Sequence, residues 1–371
     1  MFQEREKISG QQALMLVLAG GIGNIFVVIA VPAIQDAGRD GWLSVFIAYG
    51  LALIVALALL DLGRRFPDKT LVQYLPVVLG KIPGKLAGLA YILGWWSITP
   101  LIIREIIELV RFFLPFTPPL WILILMALLA VYAMRKGFEV FARTAEFFVV
   151  VMILLIVLIL ALTIPNIAFT NLTPILANGF WPVMKGLLVQ FPYAMETILF
   201  MALWLPCLNN RRDGTRAVLL GMPFAGVLLT ILVAANIAFT GINLTSRMIF
   251  PVFYMSRYIL IGNFLMGMEA VFMVLWLISS YLEILVFYYP PVVGLAQWFH
   301  LKGYQPLIVP MMVITVILAM LPSNVIEVIK LDTLKNPLII LPLGLLIPLI
   351  WVIAVVRKLD ESKMTGRNQD I

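Results

Sequence analysis

The stretch LAGGIGNIF, Leu18 to Phe26, lies inside an apolar run over residues 12–34 that is long enough to cross a bilayer. Gly20, Gly21, Gly23 and Asn24 stand near its midpoint. A glycine costs about 1 kcal/mol relative to alanine in a helix interior. Backbone groups at that depth find no water, and unwound backbone is tolerated only where it lines a protein cavity. The stretch therefore predicts a helix interrupted at mid-membrane, with the interruption facing a chamber.

The rest of the 371 residues agrees with a membrane setting. Hydrophobic residues make up 63% of the chain and charged residues 12%, against about 25% charged in soluble domains. Continuously apolar runs of helical length exclude a β-barrel, whose strands alternate. Cys207 is the single cysteine and His300 the single histidine, so neither an internal disulfide nor a His/Cys metal cluster is available. The polar start MFQEREKISGQQ is followed by no small-residue cleavage site, so the first apolar run reads as a retained helix.

Ten spans are expected, over residues 12–34, 42–62, 86–112, 117–134, 144–164, 183–206, 217–241, 266–298, 305–322 and 336–356. No soluble domain is left over, and 358–371 reads as a polar tail. An even number puts both termini on one side. With that side cytoplasmic, 18 of the 26 basic residues fall inside, which satisfies the positive-inside rule. That asymmetry accounts for the net charge of +7 and displaces a nucleic-acid reading.

Short amphipathic pieces, 71–80 and 246–259, follow the second and the seventh spans. Spans one to five (about 8–165) and six to ten (about 180–357) thus read as two copies. Because five is odd, the second copy is inverted in the membrane, an arrangement typical of secondary transporters. Span one then pairs with span six, where QFPYAME (190–196) places Pro192 at a matching depth. Proline removes a backbone donor and clashes with the preceding turn, so spans one and six are both expected to unwind. Freed amides near Gly21–Asn24 suit a carboxylate, and freed carbonyls at Pro192, Tyr193 and Ala194 suit an ammonium. An α-amino acid carries both. The competing reading is that the glycines only allow close helix packing.

The stretches ISGQQALMLVLAGGIGNIF (8–26), RKGFEVFARTAEFF (135–148), NLTPILANG (171–179), FPYAMETILF (191–200) and PPVVGLAQWF (290–299) carry a resemblance. GGIGNIF is similar to the first-helix glycine motif of the amino acid–polyamine–organocation transporters. In their order the stretches resemble the endospore germination permease family, the B subunits of nutrient germinant receptors. The resemblance implies a ten-helix inverted-repeat fold of the leucine-transporter type. It also implies recognition of a small germinant, often an amino acid, together with A and C subunits at the spore inner membrane. Glu283 departs from the pattern, since a basic residue is common at that place.

Two carboxylates fall within spans: Glu196 in the sixth and Glu283 in the eighth. Such residues face a cavity or a partner. Each is read either as contacting a ligand ammonium or coupling proton, or as an acid hydrogen-bonded between helices. Ser279 and Ser280 lie one turn before Glu283, and the resemblance implies that such hydroxyls can join span-one carbonyls in a sodium site; small-residue packing is the alternative. Tyr91, Trp95 and Thr99 share one face of span three. The implied fold turns that face to the site, against a reading as ordinary packing. Arg104, Glu108 and Arg111, and likewise Glu139, Arg143 and Glu146, have the spacing of helical ion pairs. No cofactor is called for, and no nucleophile–base pair, phosphate loop or metal cluster points to an enzyme. The expectation is a nutrient-sensing receptor subunit, with a stand-alone proton- or sodium-coupled amino-acid transporter as the alternative.

Overall fold

Ser9 opens the first helix. Its hydroxyl accepts the N–H of Gln12 at 3.2 Å while the Gln12 side chain accepts the N–H of Ser9 at 2.9 Å, so two donors of the first turn are satisfied. Helix α1 then runs Gly10–Ile22. The computed structural model describes residues 7–23, 30–113, 116–261 and 265–361. Asn24, singled out in the sequence, and the tail beyond 361 lie outside the described residues.

Helix α2 (Ala30–Ala37) leads to α3 (Gly41–Arg65) and the amphipathic α4 (Leu71–Leu79). Span three consists of α5 (Lys81–Trp96) and α6 (Ile98–Phe113). Spans four and five are α7 (Pro119–Lys136) and α8 (Phe138–Thr163). Gly80 and Gly137 make the joints before α5 and α8 with φ of +95° and +99°, a conformation that costs glycine nothing.

The second half repeats the order with α9 (Trp181–Trp204), α10 (Arg211–Thr240), and the short α11 (Ile242–Thr245) and α12 (Pro251–Arg257). A two-residue antiparallel ladder, β1 (Leu260–Ile261) with β2 (Leu265–Met266), precedes α13 (Glu269–Trp298) and α14 (Gln305–Ala319). Last come α15 (Val325–Lys335), a π turn over Asn336–Ile340, and α16 (Leu341–Val356).

Among the described residues, eight helical segments are long and apolar enough to cross a membrane. The first and ninth expected spans fall on the shorter helices α1 and α14. Two details differ from the expectation. Span ten is helical from Val325, eleven residues before the expected start at 336, because α15 continues through the π turn into α16. Span three is interrupted at Ser97, whose hydroxyl donates to the Gly94 carbonyl at 2.7 Å. Pro100 follows in the first turn of α6, where a missing N–H costs no helical bond.

Helix α9 is buried along nearly all of its second half, whereas α7, α8, α14 and α16 expose Leu128, Leu154, Ile317 and Leu349. An apolar outer belt around a buried central helix is the arrangement a hydrocarbon surround favours. Prominent helix pairings include α1 on α10, α3 on α9, α3 on α10 and α5 on α13. Exchanging span one for six, two for seven and three for eight maps the first two of these contacts onto each other and the last two onto themselves.

Candidate functional site

The glycines of α1 face three helices. A Cβ on Gly20 would meet Thr197 and Phe200 of α9 and Val286 of α13 at 3.6–3.7 Å, an ordinary contact distance. A Cβ on Gly21 would stand 3.0 Å from that of Ala225, and one on Gly23 would meet the Glu283 side chain at 3.2–3.4 Å. These positions therefore have little room for a side chain, as close packing would require. They are also where α1 stops. The Gly23 N–H bonds the Ala19 carbonyl. Side chains from other spans donate to the carbonyls here. Tyr49 of α3 donates to the Gly21 carbonyl at 2.7 Å, and Ser279 of α13 donates to the Gly23 carbonyl at 3.3 Å. Sequence reasoning paired Ser279 with span-one carbonyls but missed Tyr49.

Of the amides near Gly21–Asn24 expected to receive a carboxylate, that of Gly23 is engaged within the helix, and Asn24 lies outside the described residues. What α1 presents is its carbonyl end, which carries the negative pole of the helix dipole. The buried Glu283 side chain stands beside it, with acceptor oxygens of its own. Groups of this kind favour an ammonium.

One correction concerns span six. Helix α9 runs unbroken through Pro192, and Tyr193, Ala194 and Glu196 are buried in regular helix. The proline withdraws one N–H from the Leu188 carbonyl. The turns that follow, Pro192 to Trp204, are buried throughout, and the predicted unwinding at Pro192, Tyr193 and Ala194 is absent.

Glu196 has a partner that the sequence reading did not identify. Lys335, expected at an outer span end, sends its ammonium to Glu196 at 2.9 Å and to Asp332 at 2.7 Å. Tyr193 donates its hydroxyl to the other Asp332 oxygen at 2.6 Å. Glu196 is 1% exposed and Lys335 7%. Removing one member of a buried pair costs about 3–5 kcal/mol because the other is left uncompensated. Glu105 of α6, partly buried, and Glu283 lie within electrostatic range of this group and of each other. The available signal was KLDTLKNP (330–337), charges at i and i+3 leading directly into an apolar span.

The aromatic face of span three has packing work. Tyr91 donates to the Leu343 carbonyl of α16 at 2.8 Å, its ring lies 5.9 Å from that of Trp95, and Trp95 packs near Gly294 of α13. Thr99 is fully buried, as is Ser279, and Ser280 is buried beside it. Arg104 bonds Glu108 at 2.8 Å, as its spacing predicts, and also donates to the Ser323 carbonyl at 2.9 Å, tying α6 to the start of α15. Glu108 also bonds Arg111 at 3.3 Å, and Arg143 bonds Glu139 at 2.6 Å. Away from this region, a cavity of about 510 Å³ is lined by Lys69, Gln73, Lys85, Gln297, Trp298 and Glu361.

The chain resembles known proteins over nearly its whole length. A family model described as spore germination protein matches residues 7–328. Spore germination protein KB of Bacillus subtilis (strain 168) is 30% identical over 371 residues, covering 98% of this chain and 98% of that protein. Spore germination protein YndE of the same organism is 24% identical, covering 98% of this chain and 100% of that one. Among solved structures, the nucleobase-cation-symport-1 family transporter Mhp1, closed with bromovinylhydantoin bound, aligns with a TM-score of 0.65 at 16% identity, covering 89% of this chain and 75% of Mhp1. MhsT in complex with L-phenylalanine aligns with a TM-score of 0.65 at 15% identity, covering 94% of this chain and 89% of MhsT. At these identities the likeness shows the fold, and that fold is the leucine-transporter type expected from the sequence.

Proposed function

The chain belongs to the spore germination protein family, and on that premise we propose that it is the nutrient-recognising, permease-like subunit of a germinant receptor. It binds a small nutrient, an amino acid, among α1, α9 and α13, and it acts with A and C subunits in the spore inner membrane. Both termini face the cytoplasm, and the two inverted repeats extend over about 8–165 and 180–357. The observation that carries this reading is the end of α1: a helix terminus within the membrane, capped by Tyr49 and Ser279, beside Glu283. Helix dipole, acid and small residues meet there, a set of groups that suits a compact ammonium-bearing solute. L-phenylalanine, found in complex with MhsT, is of the same chemical class. Ligand shifts the equilibrium between forms only by its differential affinity for them, and the partner subunits read that shift.

Spores lacking this chain, tested across a nutrient panel, should lose the response to one class of nutrient and keep the others. An unchanged response to every nutrient would refute the assignment. The transporter fold itself supports a second reading, a stand-alone proton- or sodium-coupled amino-acid permease. Uptake of radiolabelled substrate by the purified chain alone in liposomes would favour it.

A further inference from the structure

The cavity of about 510 Å³ lies between α4, the residues just before it, the start of α5 and the end of α13, on the cytoplasmic side in the orientation proposed above. Its size is within the range of about 300–1,000 Å³ usual for small-ligand sites. Four charged side chains line it, Asp68, Lys69, Lys85 and Glu361, and His300 is exposed beside them. Lys69 and Glu361 pair with each other at 2.5 Å. The side chains of Lys85 and Asp68 form no ion pair or hydrogen bond among the described residues. One cation and one anion are thus left over around a single space.

Two of the lining groups are held in place and lack an acceptor. The Lys85 ammonium stands 5.8 Å from the centre of the Trp298 ring, and the Trp298 indole donates to the Lys85 carbonyl at 3.0 Å. Gln297 is 5% exposed; its side-chain oxygen accepts the Thr70 hydroxyl, while its amide N–H groups have no partner among the described residues. A buried amide with spare donors calls for an acceptor. Lys85 and Gln297 together offer an anionic oxygen charge-assisted and neutral hydrogen bonds, and the Asp68 carboxylate offers the same to an ammonium. The surroundings are apolar and open. Val77 in the lining is exposed, as are Ile82 and Leu86 on the helix of Lys85 and Phe299 next to Trp298. Exposed apolar groups clustered at the end of membrane spans mark contact with lipid.

We infer that this cavity holds the headgroup of a zwitterionic phospholipid of the phosphatidylethanolamine kind. Its phosphodiester oxygens accept from Lys85 and Gln297, its ammonium bonds Asp68, and its acyl chains lie over Val77, Ile82 and Leu86. Basic pockets between spans on the cytoplasmic side hold anionic headgroups; here Asp68 adds the opposite sign, and the four charged lining residues sum to zero. An anionic lipid would leave Asp68 without a partner. The bound headgroup ties α4 to α5 and α13. The site lies away from the end of α1 and stands independently of the nutrient-binding reading.

The test is equilibrium binding of radiolabelled dioleoyl phosphatidylethanolamine and phosphatidylglycerol to the delipidated full chain in detergent, with monodispersity and a thermal melt as checks of folding. Phosphatidylethanolamine should bind at least about fivefold more tightly than phosphatidylglycerol, and Lys85→Gln should weaken it about tenfold. Asp68→Asn should weaken phosphatidylethanolamine, leave phosphatidylglycerol within about twofold and so remove the preference. Equal binding of the two lipids by the wild-type chain, or a preference that survives Asp68→Asn, would overturn the inference. Excess glycerophosphoethanolamine, the same headgroup without acyl chains, should leave lipid binding within about twofold; displacement of the lipid at matching concentrations would make the occupant a soluble phosphodiester and overturn the lipid assignment. Asp68 is exposed, so should Lys85→Gln fail to fold, the Asp68→Asn comparison decides the question.

Discussion

Lys335→Met is the perturbation with the clearest expected cost. It deletes the ammonium that bonds Glu196 at 2.9 Å and Asp332 at 2.7 Å, and leaves two carboxylates that are 1% and 5% exposed without a cation. A buried charge stripped of its partner costs about 3–5 kcal/mol, whereas replacing a whole buried pair with neutral groups is often neutral. Lys335→Met should therefore destabilise the chain by about 3–5 kcal/mol, and the triple variant Lys335→Met, Glu196→Gln, Asp332→Asn should recover most of that loss. Unfolding in mixed micelles, followed through the fluorescence of the nine tryptophans, gives the free energies, and a cycle over the single and combined variants gives the coupling. Additive effects, with the triple variant no more stable than the sum of its parts, would show that the three side chains do not act as a unit.

Gly23→Leu places a side chain where Glu283 already stands within 3.2–3.4 Å of a Cβ, so nutrient response should be lost while membrane insertion, measured by fractionation, is retained. Pro192→Ala should leave the response within about twofold and stabilise the chain by up to about 3 kcal/mol, because α9 is already helical there; loss of response in a stable variant would restore a functional break in span six. Tyr91→Phe removes the bond to the Leu343 carbonyl and should cost about 1 kcal/mol in the same unfolding assay without changing nutrient potency, since that ring packs span three against span ten.

The membrane class, the apolar helical runs and the transporter-type fold were legible because they rest on hydropathy and spacing, which are local. The close packing of α1 at Gly20, Gly21 and Gly23 left a mark of the same local kind, three glycines in four positions. Pro192 misled because a local cost was allowed to decide where tertiary packing overrides it. The Lys335 group was hidden for a different reason. Asp332, Lys335 and Lys330 lower the mean hydropathy of 325–335, so the segment read as an outer loop, although the Lys335 charge is met across helices by Glu196. Tyr49 carries no local mark at all, since its role exists only once α3 lies against α1.

The two donors that close the end of α1 come from separate spans, α3 and α13. Any rearrangement that draws α1 away from them uncovers the Gly21 and Gly23 carbonyls, and a dry carbonyl at that depth costs several kcal/mol. Such a rearrangement must admit solvent to the bilayer interior. Its population therefore depends on water activity, so dehydration or high osmolality holds α1 against its neighbours and rehydration loosens it.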